Sequence, residues 1–293
     1  MTDPVVRKQS FETTEPVEVT VTTGSGRIDV HLTDEPGIDV EVRHAPDAAN
    51  PWVDGINSLV SWVSGQLGDQ QFGDVPAEAI RQTRIEFVGG RLVVRSAKGA
   101  QFRNVPIAVT IRAPRESHVA ARSGSATVTV VGDAGRIEIA TGAGDVDIER
   151  ASGVVQATTG TGAVRVGPTP AGLRARTGAG DVTAAAIGGP STVFTGGGDV
   201  WLGAVGGDVM VRTGTGDVTL ADTISGQVEL TTGSGALRVD IRKGTAAELD
   251  VSSGSGEARS ELPLSGERPH AAVSLRVRGR TGTGTAVVGL SNR

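Results

Sequence analysis

SGSATV (123–128), TGAGDV (141–146), TGTGAV (159–164), TGAGDV (177–182), TGGGDV (195–200) and TGTGDV (213–218) are one phrase written six times, each copy 18 residues after the last. A fixed repeat length marks a structure that stacks identical units. Glycines also recur at half that period, from Gly135 to Gly216, with one slip at Ala171–Gly172. After each glycine the chain alternates apolar and polar, as in Asp145-Val146-Asp147-Ile148-Glu149. Alternation is the period of a strand with one buried face. A glycine between short strands is expected to supply the positive φ of a sharp turn.

Each unit therefore reads as strand, turn, strand, turn. On one face (A) the inward positions are Val146 and Ile148, Val164 and Val166, Val182 and Ala184, Val200 and Leu202, Val218 and Leu220. On the other (B) they are Ile137 and Ile139, Val155 and Ala157, Leu173 and Ala175, Ser191 and Val193, Val209 and Val211. These residues are small, β-branched or Leu, with one Ser, and suit two sheets roughly 10 Å apart with no room for rings. An antiparallel meander would tolerate loops of varying length. A solenoid coil cannot gain one residue without turning its side chains to the wrong face. Five equal intervals predict an all-β fold, a parallel β-solenoid (β-helix) of about 18 residues per coil.

Outward from the array the grammar loosens. Later phrases start at Thr232, Ser253 and Thr281, and an early one starts at Thr23, which makes ten coils in all. At ~4.8 Å per coil the rod would be roughly 50 Å long. Val17, Val19 and Val21, then Ile28, Val30 and Leu32, then Ile38, Val40 and Val42 read as strands of a first coil. Residues 1–10 are polar and expected to be a disordered tail. The organisation predicted is one solenoid domain over 11–293, interrupted by a helix-hairpin insertion over 45–100. In that insertion Asn50-Pro51 starts a helix, and Trp52, Val53, Ile56, Leu59, Val60, Val63 and Leu67 follow at helical spacing. Residues 76–83 add a shorter helix. The segment TRIEFVGGRLVVRS (83–96) forms a hairpin around Gly89-Gly90, with Ile85 and Phe87 facing Leu92 and Val94. Because an end coil exposes core and sheet edges, the insertion is expected to act as an N-terminal helical cap.

Composition narrows the function classes. Gly accounts for 43 of 293 residues, there is no Tyr and no Cys, and the formal net charge is −5. The lack of Cys removes disulfide frameworks and Cys-based metal sites. Mild acidity without a basic run argues against nucleic-acid binding. The start, MTDPVVRKQS, lacks the pattern of a signal peptide, and no segment is apolar enough to span a bilayer as a helix. A cytoplasmic location is expected on that reading, with the cell surface reached only by a non-standard route.

The run VPIAVTIRAPRESHVAARSGSATVTV (105–130), followed by serial TGxGDVxV units, resembles the bacterial "putative adhesin" domain-of-unknown-function family of β-strand-repeat proteins. The resemblance covers about Val105 to the C-terminus. It implies a β-repeat fold and an adhesin-like role, and it brings no catalytic motif.

The GxG pairs lack the third glycine and the helix of a dinucleotide fingerprint, since Asp147, Arg165, Thr183, Trp201 or Thr219 stands where that glycine belongs. Asp181, Asp199 and Asp217 occupy one column, with Asp145 two coils earlier, and are the metal candidates. Their place differs by one from the Asp of the calcium-binding nonapeptide GGxGxDxUx, so they are expected instead to cap their own turns. Arg174, Arg176, Phe194, Met210 and Arg212 point outward on face B, and Trp201 on face A. Arg, Met and aromatic residues favour interfaces, so these six are the partner-binding candidates. Coverage by a loop over 259–270 is the structural alternative. The histidines, His31, His44, His118 and His270, have no metal-ligand spacing. No cofactor is expected.

The function expected is a non-catalytic scaffold or adhesin-like protein that binds a protein partner through a solenoid face. Alternatives are a rod that stacks on itself through an uncapped C-terminal coil, and a carbohydrate-active β-helix enzyme. The enzyme would need convergent carboxylates and aromatic platforms that the sequence lacks.

Overall fold

The chain builds two long, mostly parallel sheets in a computed structural model that describes residues 5–45, 75–102, 105–262 and 273–291. The strands before the array are β1 (Val6–Phe11), β2 (Glu18–Thr23), β3 (Ser25–Thr33), β4 (Ile38–His44), β5 (Arg84–Val88), β6 (Arg91–Arg95) and β7 (Pro106–Pro114), with helix α1 (Val75–Arg81) between β4 and β5. The array runs through β8 (His118–Ser123), β9 (Thr127–Ala134), β10 (Ile137–Thr141), β11 (Val146–Ala151), β12 (Val155–Thr158), β13 (Val164–Thr169) and β14 (Leu173–Arg176). It continues with β15 (Val182–Ile187), β16 (Ser191–Thr195), β17 (Val200–Val205), β18 (Val209–Thr213), β19 (Val218–Thr223), β20 (Gly226–Thr232) and β21 (Leu237–Ile241). Then follow β22 (Ala247–Ser253), β23 (Ala258–Ser260), β24 (Leu275–Thr281) and β25 (Ala286–Leu290).

Within the array, odd-numbered strands form one sheet (A) and even-numbered strands the other (B). Val146 lies beside Val164, Val164 beside Val182, Val182 beside Val200 and Val200 beside Val218. Ile137, Val155 and Leu173 do the same in sheet B. All the inward positions named from the sequence are buried. The one polar member, Ser191, is satisfied: its Oγ accepts the Leu173 N–H at 2.9 Å and donates to the Gly189 carbonyl at 2.9 Å.

The phrase TGxGDV is built for contact between coils. Thr195 Oγ1 accepts the Gly198 N–H at 3.0 Å and donates to Gly180 O, one coil back, at 3.1 Å. Thr159, Thr177 and Thr213 repeat this pair of bonds. In the six copies from Ser123 to Val218 the glycines of the phrase do not carry the positive φ expected of them, although Gly26 of the early copy does, with φ of 116°. Their role is space: a Cβ on Gly196 would lie 2.3 Å from Gly178 O, and one on Gly198 2.0 Å from Gly180 O. Left-handed backbone occurs elsewhere, as at the hairpin's Gly89 and Gly90, with φ of 58° and 74°.

Strand order departs from sequence order at both ends. Sheet B ends β10-β8-β2-β6-β5, and sheet A ends β9-β3-β7-β4-β1. The hairpin has the expected pairing, Ile85 with Val94 and Phe87 with Leu92. Its second strand nevertheless belongs to sheet B, where it pairs parallel with β2, while β7 pairs parallel with β3. Part of the 45–100 segment is thus a coil of the rod rather than an insertion outside it. Residues 38–44 do not complete a first coil either, because β4 runs antiparallel to β7. The expected tail over 1–10 is overturned for residues 6–10, which with Phe11 form β1 antiparallel to β4, from Val6 beside Arg43 to Phe11 beside Ile38. Lys8 and Ser10 face solvent, whereas Arg7 shares the face of Phe11 and donates to the carbonyls of Arg81 and Thr83; Phe11 packs on Phe87 with centroids 5.5 Å apart. The helix expected over 50–67 lies outside the described residues.

At the other end β24 pairs with β20 on one side and β22 on the other, and β25 lies between β21 and β23. The terminal coil is therefore made by β22 and β23, earlier in the chain, and not by the last phrase.

Candidate functional site

Five of the six partner-binding candidates share the outer face of sheet B. Register places Arg174, Thr192 and Met210 in one column. The next outward column reads Arg176, Phe194 and Arg212. Parallel neighbours stand roughly 4.8 Å apart, so Phe194 has an arginine beside it on each adjacent strand. These three residues and the Thr-Gly pairs beside them line a shallow groove of about 580 Å³. Arg212 reaches Glu229 at 3.8 Å, while Arg174 and Arg176 meet no carboxylate among the described residues. Trp201 stands apart, on sheet A between Thr183 and Thr219. It is 40% exposed, and its Cη2 would lie 3.1 Å from a Cβ on Gly203, so the indole lies over that glycine. The loop considered as its cover, 259–270, falls mainly outside the described residues.

The aspartate column has a different logic from the one expected. Asp181 Oδ1 accepts the Asp199 N–H at 2.9 Å, and Asp199 Oδ1 accepts the Asp217 N–H at 2.8 Å. Asp217 Oδ1 accepts the Ala236 N–H at 2.7 Å, and Asp145 Oδ1 the Ala163 N–H at 2.9 Å. Each carboxylate therefore caps the following coil and not its own turn. Facing its next neighbour's N–H relieves the stacking of like charges that a cation would otherwise offset. Among the described residues no group of three or more His, Asp or Glu is arranged to hold a metal ion.

A smaller concavity lies on the same face of sheet B, toward β6. Thr20 and Ala120 form its floor, and Arg91, Arg95, Arg122 and Arg136 stand around it. Sequence reasoning missed it, because these arginines meet only through the crossed order β6-β2-β8-β10. Their spacing carries no signal of that order. No helix among the described residues is long and apolar enough to cross a membrane.

Comparison with known proteins adds the lineage. The chain is similar to a putative adhesin of Bacteroides fragilis, at 11% identity over 97% of each chain and a TM-score of 0.42. It is similar also to a putative adhesin of Parabacteroides distasonis, at 11% identity over 98% of each chain and a TM-score of 0.38. A putative lipid binding protein of the same organism matches at 12% identity over 98% of this chain and 97% of that one, with a TM-score of 0.39. Among curated proteins none matches. The family model Toastrack DUF4097 matches residues 89–292. The chain, with its serial parallel coils, belongs to the Toastrack family.

Proposed function

We propose that the chain is a non-catalytic solenoid scaffold that binds a protein partner through the outer face of sheet B. The observation that carries this reading is the Arg176–Phe194–Arg212 column with its groove. A half-buried ring on a strand between two arginine-bearing strands is the composition of an interface centre, where aromatic and Arg side chains dominate binding. Arg174 and Met210 extend the surface along the next column. Two sheets held by register from coil to coil give that surface a fixed shape, so little ordering free energy is spent on binding. The inserted segment serves as a cap in this reading, supported by α1, whose Ala79 and Ile80 belong to the core cluster.

The test is capture from the protein's own cells, with the wild-type chain and the Phe194→Ala, Arg176→Ala and Trp201→Ala variants as bait. A specific partner should be retained by wild type and by Trp201→Ala. It should be lost or weakened at least about tenfold with Phe194→Ala, the loss expected of a central interface residue. Equal capture by all baits would reject the sheet B face as the binding surface.

A further inference from the structure

The concavity beside β6 is a cup built from three columns of side chains. Its floor is Thr20, beside Val93 on one neighbouring strand and Ala120 on the other. One wall carries Arg91, Glu18, His118 and Arg136; Glu18 pairs in register with Arg91 and His118. The other wall carries Arg95 and Arg122, in register with Thr22. The enclosed volume is about 250 Å³, enough for one small ligand group and too small for a folded partner.

Charge inside the cup does not cancel. Arg91 lies 3.3 Å from Glu18, and Arg122 lies 3.0 Å from Glu138. Arg95 and Arg136 meet no carboxylate among the described residues. Four guanidiniums against two carboxylates leave two positive charges, in a protein whose formal net charge is −5. His118 Nδ1 accepts the Arg136 backbone N–H at 3.0 Å, so the neutral ring carries its proton on Nε2 as a donor. The Thr20 side chain is half-buried at the floor.

We propose that this cup binds a tetrahedral dianion, phosphate or sulfate, either free or as the ester on a sugar. Two unpaired guanidiniums match the charge. Their planar forks each offer paired N–H groups to two oxygens of one anion. The carboxylates of Glu18 and Glu138 pair with the other two arginines, Arg91 and Arg122. This inference is independent of the protein-binding reading, since the cup and the Phe194 groove share no residue.

Isothermal titration at low ionic strength tests it, because exposed charge contacts are screened by salt. The probes are inorganic phosphate, inorganic sulfate, glucose 6-phosphate and glucose 6-sulfate, with acetate as the singly charged control. Saturable binding of at least one dianion, tighter than acetate, is expected. Arg95→Gln and Arg136→Gln should each weaken it about tenfold, the scale of one charge-assisted hydrogen bond. Phe194→Ala should leave it unchanged. Tighter binding of the esters than of the free anions assigns the source to sugar; the reverse assigns it to the free ion. Both arginines are exposed, so the substitutions should preserve the thermal unfolding midpoint, which is measured alongside. No saturable binding by any of the four, or binding that survives both cup substitutions in folded protein, overturns the proposal.

Discussion

In TGGGD (195–199) three consecutive glycines have two different reasons to be there. A Cβ on Gly198 would stand 2.0 Å from the carbonyl oxygen of Gly180 and 2.4 Å from its carbon, both backbone atoms of the coil before. Neither can retreat without breaking the sheet register on each side. A Cβ on Gly197 would meet only Thr215 Oγ1, at 3.4 Å, and its φ is not left-handed. Gly198→Ala should therefore lower stability by about 1–3 kcal/mol or more, the cost of forced overpacking. Gly197→Ala should raise it by about 0.4–1 kcal/mol by restricting the unfolded chain. Urea unfolding of the two single variants reads both signs, and a loss at Gly197 equal to that at Gly198 would defeat the argument. The same contrast shows what the sequence could and could not tell. Glycine at a repeated place is visible to anyone, but a turn needing positive φ and two backbones needing contact select the same residue. Only the neighbouring coil distinguishes them. The aspartates pose the same problem: a carboxylate capping its own turn and one capping the next coil's turn sit at the same place in the phrase.

At the scale of strands, side-chain parity was legible because it is local. One residue decides one face, and every inward position read from Val146 to Leu220 is buried. Which strand lies beside which is not local. In the array the two coincide, since each coil lies on its predecessor, and the phrase marks each one. They separate at β6 and β7, which form a coil without any TGxG phrase, and at β24 and β25, which slot between older coils. The partner-binding column was found because it lies inside the array; the arginine cup was missed because it straddles β6, β2 and β8. Interchangeable coils make a prediction. Removing residues 159–176 takes out one full period, joins Thr158 to Thr177, and brings Val146 beside Val182 and Ile148 beside Ala184, all inward apolar residues. That deletion should fold cooperatively, with a thermal midpoint within a few degrees of the parent, as expected when stability is a sum of near-neighbour terms. Removing only residues 159–167 leaves sheet-B strands where sheet-A strands belong, and should abolish the cooperative transition seen by circular dichroism. Equal behaviour of the two deletions would show that the 18-residue period does not govern stacking.

For the molecule as a whole, the crossed order at the far end ties the last-made coil to the inside of the rod. Among the described residues β22 has only β24 as a neighbour, and β23 only β25. A chain stopped after Glu261 would lack β24 and β25, so its β22 and β23 would lose their native partner strands, although their own sequence is intact. Deleting residues 246–262 instead removes only the terminal coil and leaves β24 and β25 against β20 and β21. The amounts of apolar surface at stake differ in the same direction. Leu275, Val277, Ala286 and Val288 are buried, whereas Leu249 and Val251 of the end coil are only partly so. Each fully buried Leu or Val is worth about 1.5–3 kcal/mol of transfer free energy. Truncation after Glu261 should therefore cost two coils and the internal deletion one. Hydrogen exchange followed by mass spectrometry reads this directly. In the chain ending at Glu261, amides of 247–253 should exchange as fast as unfolded peptide, and the urea midpoint should fall further than in the internal deletion. Protected amides at 247–253 in that truncated chain would mean that β22 holds its place without β24, and the interleaved order would no longer account for the stability of this end.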